Sequence, residues 1–175
     1  MKKIIYLAFF LGLVSSIVTV TLASVNHVTA PIIQEIQEAA FRQAVEYAFP
    51  HADFFQIIAE EEDIYSNHIV QILEIFQNYE TIGYIYTQNV PGFGGPINYV
   101  IGIDTEGNFN SFVVLSHSET PGFGARIEND YFRDLFNNTY AGHQIDAFTG
   151  ATTTTNAIKS GLIDLYQDFI TRGGN

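Results

Sequence analysis

Residues 69–117 decide the fold, and they read IVQILEIFQNYETIGYIYTQNVPGFGGPINYVIGIDTEGNFNSFVVLSH. Four short runs in this stretch are rich in β-branched and aromatic residues, and turn-forming residues separate them. The runs cover residues 69–76, 81–88, 97–104 and 109–117. Because each run has the length of one strand, the stretch predicts an antiparallel meander.

Helical patterns follow these strands. Near the C-terminus one apolar stripe recurs at helical spacing before Gly173, which predicts a helix and its stop. The stripe consists of Ile158, Leu162, Leu165, Tyr166 and Phe169. A shorter pattern over residues 131–136 predicts a second helix. Strands followed by flanking helices indicate an α+β fold with a curved antiparallel sheet rather than a doubly wound one.

The segments between and before the predicted strands also allow predictions. Residues 104–108 contain the Asp and Gly that a hairpin needs, whereas NVPGFGGP (89–96) is longer than a hairpin requires and predicts a loop. Residues 51–66 are acidic around EEED (60–63), which favours a solvated turn.

An uncharged apolar run, IIYLAFFLGLVSSIVTVTLA, occupies residues 4–23. Twenty such residues span the roughly 30 Å of a bilayer's hydrocarbon core. Lys2 and Lys3 precede the run, so the positive-inside rule predicts a cytoplasmic N-terminus and an extracytoplasmic domain. The alternative is a cleaved signal peptide, although the run is longer than the usual apolar region and no Ala-x-Ala site closes it.

The predicted organisation has four parts. Residues 1–3 form a cytoplasmic N-terminus, 4–24 a single transmembrane helix in the cell membrane, 25–50 a linking helix, and 51–175 the extracytoplasmic domain. A plausible start for the linking helix lies at Thr29 and Pro31, and Pro50 stops it.

Charge and composition exclude several functions. Beyond the apolar run, five Lys and Arg residues face 19 acids, a formal charge of −14. Such a surface repels phosphate backbones, so we expect no nucleic-acid partner. Cysteine is absent, so disulfides, thiolate catalysis and iron–sulfur ligation are excluded, and redox chemistry would need a bound cofactor.

The most informative stretch is DAFTGATTTTNAI, residues 146–158. Gly150 permits a sharp turn, and a row of hydroxyls leads into the C-terminal helix, which is typical of a capped helix start. The free N–H groups of such a terminus also form a good phosphate seat. No P-loop lysine and no strand leading into a G-x-G-x-x-G turn accompanies it, so neither nucleotide hydrolysis nor a Rossmann cofactor fits.

Residues 146–152 resemble the flavinylation motif D-x-x-[ST]-G-A-[ST] of the FMN-binding domain family. In that family a Mg-dependent FMN transferase takes FMN from FAD and joins its phosphate to the last hydroxyl of the motif. The resemblance implies Thr152 as the covalent acceptor and Asp146 as the acid that the transferase recognises. Thr149, Gly150 and Ala151 would form the bend that presents the acceptor, with Thr153 beside it.

Two further stretches resemble the same family. GFGGPINYVIGID (92–104) is similar to its Gly-Tyr-Gly-Gly loop, with Phe93 in place of Tyr, and SHSETPGFG (116–124) to its H-x-E-T-P-G-L-G signature, with Phe123 in place of Leu. The resemblance assigns six more residues to the cofactor site: Gly94, Gly95, Glu119, Thr120, Gly122 and Gly124. Within the family it points to the RnfG component of the Rnf complex and to NqrC of the sodium-pumping quinone reductase.

Metal and hydrolase chemistry have little support. The five histidines, at 27, 51, 68, 117 and 143, show no ligand spacing, and EEED lacks the alternating acids and glycine of a calcium loop. His117 and Glu119 lie beside serines without an oxyanion signature. We therefore predict no metal and no catalytic residue.

The resemblance implies a covalent flavoprotein that relays electrons within an Rnf-type ion-translocating ferredoxin:NAD oxidoreductase complex, with other membrane subunits as partners and no substrate turnover of its own. Two alternatives remain open at this point. One is a free-standing flavinylated carrier that serves an extracytoplasmic reductase or external acceptor. The other is a non-redox, membrane-anchored binding module.

Overall fold

The structure, a computed structural model, describes residues 2–60, 66, 68–137, 139–143 and 151–173. Three helices and six strands occur in the order α1 (Lys2–Ala48), β1 (Phe54–Glu60), β2 (Ile69–Gln77), β3 (Glu80–Pro91), β4 (Pro96–Asp104), β5 (Asn108–Ser116), α2 (Asp130–Asp134), β6 (Thr139–Tyr140) and α3 (Thr152–Thr171). A short 3₁₀ helix, Gly124–Glu128, precedes α2. Residues 1–39 and 40–175 form separate compact units.

The described strands form one antiparallel sheet in sequence order from β1 to β6, and each strand pairs with the next along the chain. The α+β fold with an antiparallel sheet, flanking helices and a leading apolar helix is therefore confirmed. The hairpin at residues 104–108 is also confirmed, because Asp104 Oδ1 accepts the backbone N–H of Asn108 at 2.8 Å and Gly107 has a φ of 85°.

α1 begins at Lys2 and continues through Pro31 to Ala48. The predicted helix start at Thr29 and Pro31 is therefore wrong. The helix can pass through Pro31 because the fixed φ of proline is helical and its missing N–H removes only one backbone hydrogen bond. The helix is long and apolar enough to cross a membrane, by length and composition. This supports membrane anchoring.

Two connections differ from their predictions. β1 occupies 54–60, where no strand was predicted; it is an edge strand with mostly exposed side chains, so its sequence does not alternate. The solvated turn predicted around EEED (60–63) lies, beyond Glu60, outside the described residues. The predicted long loop after β3 is a tight hairpin of residues 92–95, because Pro91 pairs with Pro96 and strand ends tolerate proline. The Gly92 N–H closes the hairpin on the Gly95 carbonyl at 2.9 Å.

Both faces of the sheet are covered. On one face the α3-side cluster includes Tyr86, Tyr99, Phe112, Phe132, Phe136, Ile158, Leu162, Leu165 and Phe169. On the other face the α1-side cluster contains Ala44, Ala48, Phe49, Leu73, Ile75, Ile85 and Val100. Consecutive residues of a strand, such as Ile85 and Tyr86, point to opposite faces and so join opposite clusters. The α3-side cluster fixes the start of α3 beside the ends of β3 and β5.

Candidate functional site

A cavity of about 440 Å³ opens at the N-terminus of α3. Nine described residues line it: Phe93, Glu119, Thr120, Phe123, Gly124, Ala151, Thr152, Thr153 and Thr154. They come from three segments, namely the hairpin between β3 and β4, the loop after β5, and the first turn of α3. The volume falls within the range of about 300–1,000 Å³ that small-molecule sites occupy.

Glu119 joins these three segments. Its side chain is buried, and Oε1 accepts the backbone N–H of Gly94 at 2.9 Å while Oε2 accepts the hydroxyl of Thr154 at 2.5 Å. Hydrogen bonds to a carboxylate are about twice as strong as those between neutral groups. One side chain from the loop after β5 therefore connects the hairpin to α3.

The four threonines that begin α3 have different environments. Thr152 and Thr153 are exposed and line the cavity. Thr154 is buried and donates to Glu119, while Thr155 is buried and donates to the carbonyl of Ala151 at 2.9 Å. Thr152 and Thr153 are therefore the exposed threonines of the row, whereas Thr154 lines the cavity with its hydroxyl already bonded to Glu119.

Glycines around Glu119 are required by the protein itself. A Cβ at Gly92 or Gly124 would overlap a carboxylate oxygen of Glu119, and one at Gly94 would overlap the carbonyl of Ser118. Protein atoms are the immediate neighbours of Gly94 and Gly124, which the resemblance assigned to the cofactor site. Gly122 instead has a φ of 78°, a backbone conformation that favours glycine.

His117 fixes the loop that carries Glu119. Its Nδ1 accepts the backbone N–H of Glu119 at 3.0 Å, and its Nε2 lies 3.0 Å from Oε1 of Glu128. An Nδ1 that accepts leaves the proton on Nε2, where it can be donated to Glu128. His117 thus anchors the loop from both ring nitrogens.

Backbone amides, rather than cationic side chains, are the groups of the cavity that can bind an anion. None of the nine lining residues is a lysine or arginine. In the described part of the chain no side chain caps α3, whose N-cap is Ala151, and the first intrahelical bond runs from the N–H of Thr155. The amides of the first turn are therefore available to an anion. The threonines at residues 152–155 therefore do not cap α3, although the sequence suggested threonine capping.

The structure brings together most of the residues that the sequence placed at the site. Six of them line the cavity: Glu119, Thr120, Gly124, Ala151, Thr152 and Thr153. Gly94 does not line it, but its backbone N–H donates to the side chain of Glu119, which does. Gly95 lines a different cavity, beside His68, and Gly122 lies in the turn after Pro121. Asp146, Thr149 and Gly150 lie outside the described residues.

Three lining residues were absent from the predicted site. Phe93 and Phe123 are the two positions where aromatic residues depart from the family pattern, and both are largely exposed at the cavity. Thr154 was treated only as a competing hydroxyl. Helical spacing could have placed it inward, because a residue two positions after Thr152 faces the opposite side of the helix.

A comparison with known protein families finds one match in this region. The model of the FMN-binding domain matches residues 92–167, which contain every residue that lines the cavity. Over these residues the chain is similar to the FMN-binding domain family. The match supports FMN as the ligand of this domain.

Curated relatives extend the similarity over most of the chain. The RnfG protein of the proton-translocating ferredoxin:NAD(+) oxidoreductase complex of Clostridium ljungdahlii is 26% identical, over 89% of this chain and 85% of that protein. The RnfG protein of the Na(+)-translocating complex of Acetobacterium woodii is 28% identical, over 95% of this chain and 93% of that protein.

A solved structure shares the fold. The crystal structure of Shewanella oneidensis NqrC aligns with a TM-score of 0.59 at 12% identity, and the alignment covers 79% of this chain and 98% of that one. At this identity the likeness shows that the FMN-binding domain has the NqrC fold.

Proposed function

We propose that this chain is a membrane-anchored flavoprotein that carries FMN on Thr152, joined through the phosphate, and relays electrons in an Rnf-type complex. One observation carries the proposal: the exposed hydroxyl of Thr152 lies in the cavity at the start of α3, within the segment of the FMN-binding domain family.

The cavity has the groups that FMN requires. The first-turn amides of α3 would hold the phosphate, where the helix dipole favours negative charge. Phe93 and Phe123 offer apolar faces for the ring, and the hydroxyl of Thr120 is a hydrogen-bonding group beside it. When bound, FMN supplies reversible one- and two-electron transfer, while the protein positions the group and tunes its potential.

A covalent bond suits a cavity without cations. None of the nine described residues that line it is a lysine or arginine, and none occurs in the preceding sequence QIDAFTG (144–150). A free phosphate monoester carries close to two negative charges at neutral pH, whereas a phosphodiester carries about one. Helix amides alone would hold the dianion weakly in an acidic domain, so attachment secures the cofactor at a lower electrostatic cost.

The relatives favour a complex over a stand-alone carrier. Both are named as components of ion-translocating ferredoxin:NAD(+) oxidoreductase complexes, and both align over most of their length. We place the N-terminus in the cytoplasm and the domain outside it, because Lys2 and Lys3 precede the apolar run. The ferredoxin and NAD chemistry would belong to the complex, and this chain would pass electrons between its partner subunits.

Attachment requires an FMN transferase that uses FAD and Mg²⁺. The oxygen of Thr152 bonds to the phosphorus on the FMN side of FAD, the pyrophosphate bond breaks, AMP leaves, and the hydroxyl proton passes to solvent. Co-expression with the transferase should therefore add the mass of one FMN less one water to the chain. We expect Thr152→Ala to abolish the added mass and Thr152→Ser to retain it.

Thr153→Ala is the matched control, because Thr153 is the adjacent exposed hydroxyl of the same cavity. Its adduct should equal that of the unchanged chain. An adduct that survives in Thr152→Ala and maps to Thr153 would make the assigned acceptor wrong. An unchanged chain that gains no mass beside a working transferase would favour the non-redox binding module.

A further inference from the structure

The first turn of α3 is held by a buried carboxylate that faces the proposed attachment site. Only 5% of the surface of Glu119 is exposed, and its two oxygens accept one bond each from Gly94 and Thr154. We propose that Glu119 is a positioning residue that selects the acceptor hydroxyl, by holding the hydroxyl of Thr154 buried in the wall of the cavity and leaving Thr152 exposed there. This inference rests on the proposed function, because it concerns the same attachment.

Because both residues lie on one helix, the hydrogen bond of Thr154 also determines the direction in which Thr152 points. Successive residues of an α-helix are rotated by about 100°, so Thr152 and Thr154 lie about 160° apart around the axis. Fixing Thr154 inward on Glu119 therefore turns Thr152 outward. The observed exposures agree, since Thr154 is 2% exposed and Thr152 is exposed.

The same bond removes a competing nucleophile. Attachment needs a hydroxyl whose oxygen can reach the phosphorus of FAD and whose proton can leave. The hydroxyl of Thr154 is buried, out of reach of FAD, and it donates to Oε2 of Glu119 with the two oxygens 2.5 Å apart. Thr155 is withdrawn in the same way by the carbonyl of Ala151. Two of the four hydroxyls in the row are therefore unavailable.

The surroundings of Glu119 are built around its carboxylate. A Cβ at Gly124 would overlap Oε2 and come within 2.8 Å of the hydroxyl oxygen of Thr154, while a Cβ at Gly92 would overlap Oε1. His117 holds the backbone of Glu119 at 3.0 Å. Since both oxygens are already engaged by protein donors, Glu119 acts through Thr154 and Gly94 rather than as a direct ligand.

The test measures the initial rate of FMN addition by intact mass. We expect Glu119→Gln and Thr154→Val each to slow addition to Thr152 by at least roughly tenfold, the scale of one lost charge-assisted hydrogen bond. Thr154→Ser restores the hydroxyl and should restore the rate. Because both changes break the same bond, the double variant should be no slower than the slower single variant.

Two further measurements separate positioning from a general loss of stability. Gly161→Ala places a Cβ against Val90 Cγ1 at 2.9 Å and against the Tyr99 hydroxyl, so it destabilises α3 far from the cavity, and addition should keep its normal rate. In the chain without cofactor, amide exchange of residues 152–155 should quicken in Glu119→Gln and Thr154→Val, and by the same amount in the double variant.

The outcomes distinguish this inference from the proposed function. An unchanged chain that takes up no FMN overturns the proposed function and the inference together. If the unchanged chain takes up FMN normally and Glu119→Gln does so at the same rate, the role of Glu119 is overturned and the proposed function stands. The same holds if the two single losses of rate add up independently in the double variant. Slowing by Gly161→Ala as large as that by Glu119→Gln would also overturn the role of Glu119.

Discussion

At the scale of single residues, a buried tyrosine connects the sheet to the last helix. The hydroxyl of Tyr86 donates to Oδ2 of Asp168 at 3.0 Å, and Nε of Arg172 donates to the same oxygen at 2.6 Å. Burial, reinforced by the Asp168 carboxylate, raises the pKa of Tyr86 far above its usual value of 10.0. Burial likewise raises the pKa of Tyr99.

These shifts predict a loss of stability in alkali. Because the folded-state pKa is raised, the stabilisation is fully present below about pH 10 and is lost as the pH rises through and above that value. Each such tyrosine contributes a slope of about 1.4 kcal/mol per pH unit. We expect Tyr86→Phe to cost about 1 kcal/mol at pH 8 and to remove one such slope above pH 10.

The measurement is urea unfolding of the full chain in detergent, followed by circular dichroism from pH 8 to 11. Tyr79→Phe is the control, since Tyr79 is 90% exposed, and it should leave the slope unchanged. A slope that is identical in Tyr86→Phe and in the unchanged chain would contradict the prediction.

The threonine row shows what single residues reveal in a sequence. Its position at the start of a helix and its hydroxyl chemistry could be predicted from the sequence, and they indicated the correct end of the correct helix. Which hydroxyls are occupied was not readable, because Thr154 is paired with Glu119, 35 positions away. A long-range pairing of this kind depends on the packed fold and leaves no periodic signal.

At the scale of elements, strands that bury one or both faces were predictable and exposed ones were not. β2 to β5 carry β-branched and aromatic runs because they separate two apolar clusters. β1 has mostly exposed side chains, and β6 has only two residues, so neither produces a pattern. The short hairpin at 92–95 was predicted as a loop because the segment 89–96 is longer than a hairpin requires.

The end of α1 is an element of the domain rather than only a linker. Ala44, Ala48 and Phe49 are buried in the α1-side cluster against Ile85 and Val100. A fragment that begins at residue 40 should therefore fold cooperatively without detergent. A fragment that begins at residue 51 exposes this face of the sheet, and we expect it to lose more than about 3 kcal/mol.

Thermal unfolding of the two fragments tests this expectation, and Phe49→Ala in the longer fragment provides an intermediate case. The stability lost in Phe49→Ala should approach that lost in the shorter fragment if this one aromatic ring covers most of the exposed sheet face. Equal midpoints for the fragments that begin at 40 and at 51 would show that α1 contributes nothing to the domain.

At the scale of the whole molecule, the chain combines one apolar helix with a strongly acidic remainder. Its relatives in Clostridium ljungdahlii and Acetobacterium woodii are named as subunits of larger complexes. A complex subunit should be purified with its partners, whereas a free-standing carrier should be purified alone.

An affinity-tagged chain, extracted from native membranes in mild detergent, should therefore bring several multi-span membrane proteins with it in constant proportion. Untagged membranes treated in parallel supply the background. Recovery of the tagged, FMN-bearing chain without such proteins would favour the free-standing carrier over the complex.

The contacts of Glu119 also have a consequence for the order of events in the cell. They join positions 94, 119 and 154, which meet only after β3, β4 and β5 have paired and α3 has docked. An unfolded chain therefore lacks the arranged turn, although it has every threonine. Attachment would therefore follow folding. The fraction of chains that bear the cofactor would then report the fraction that has folded.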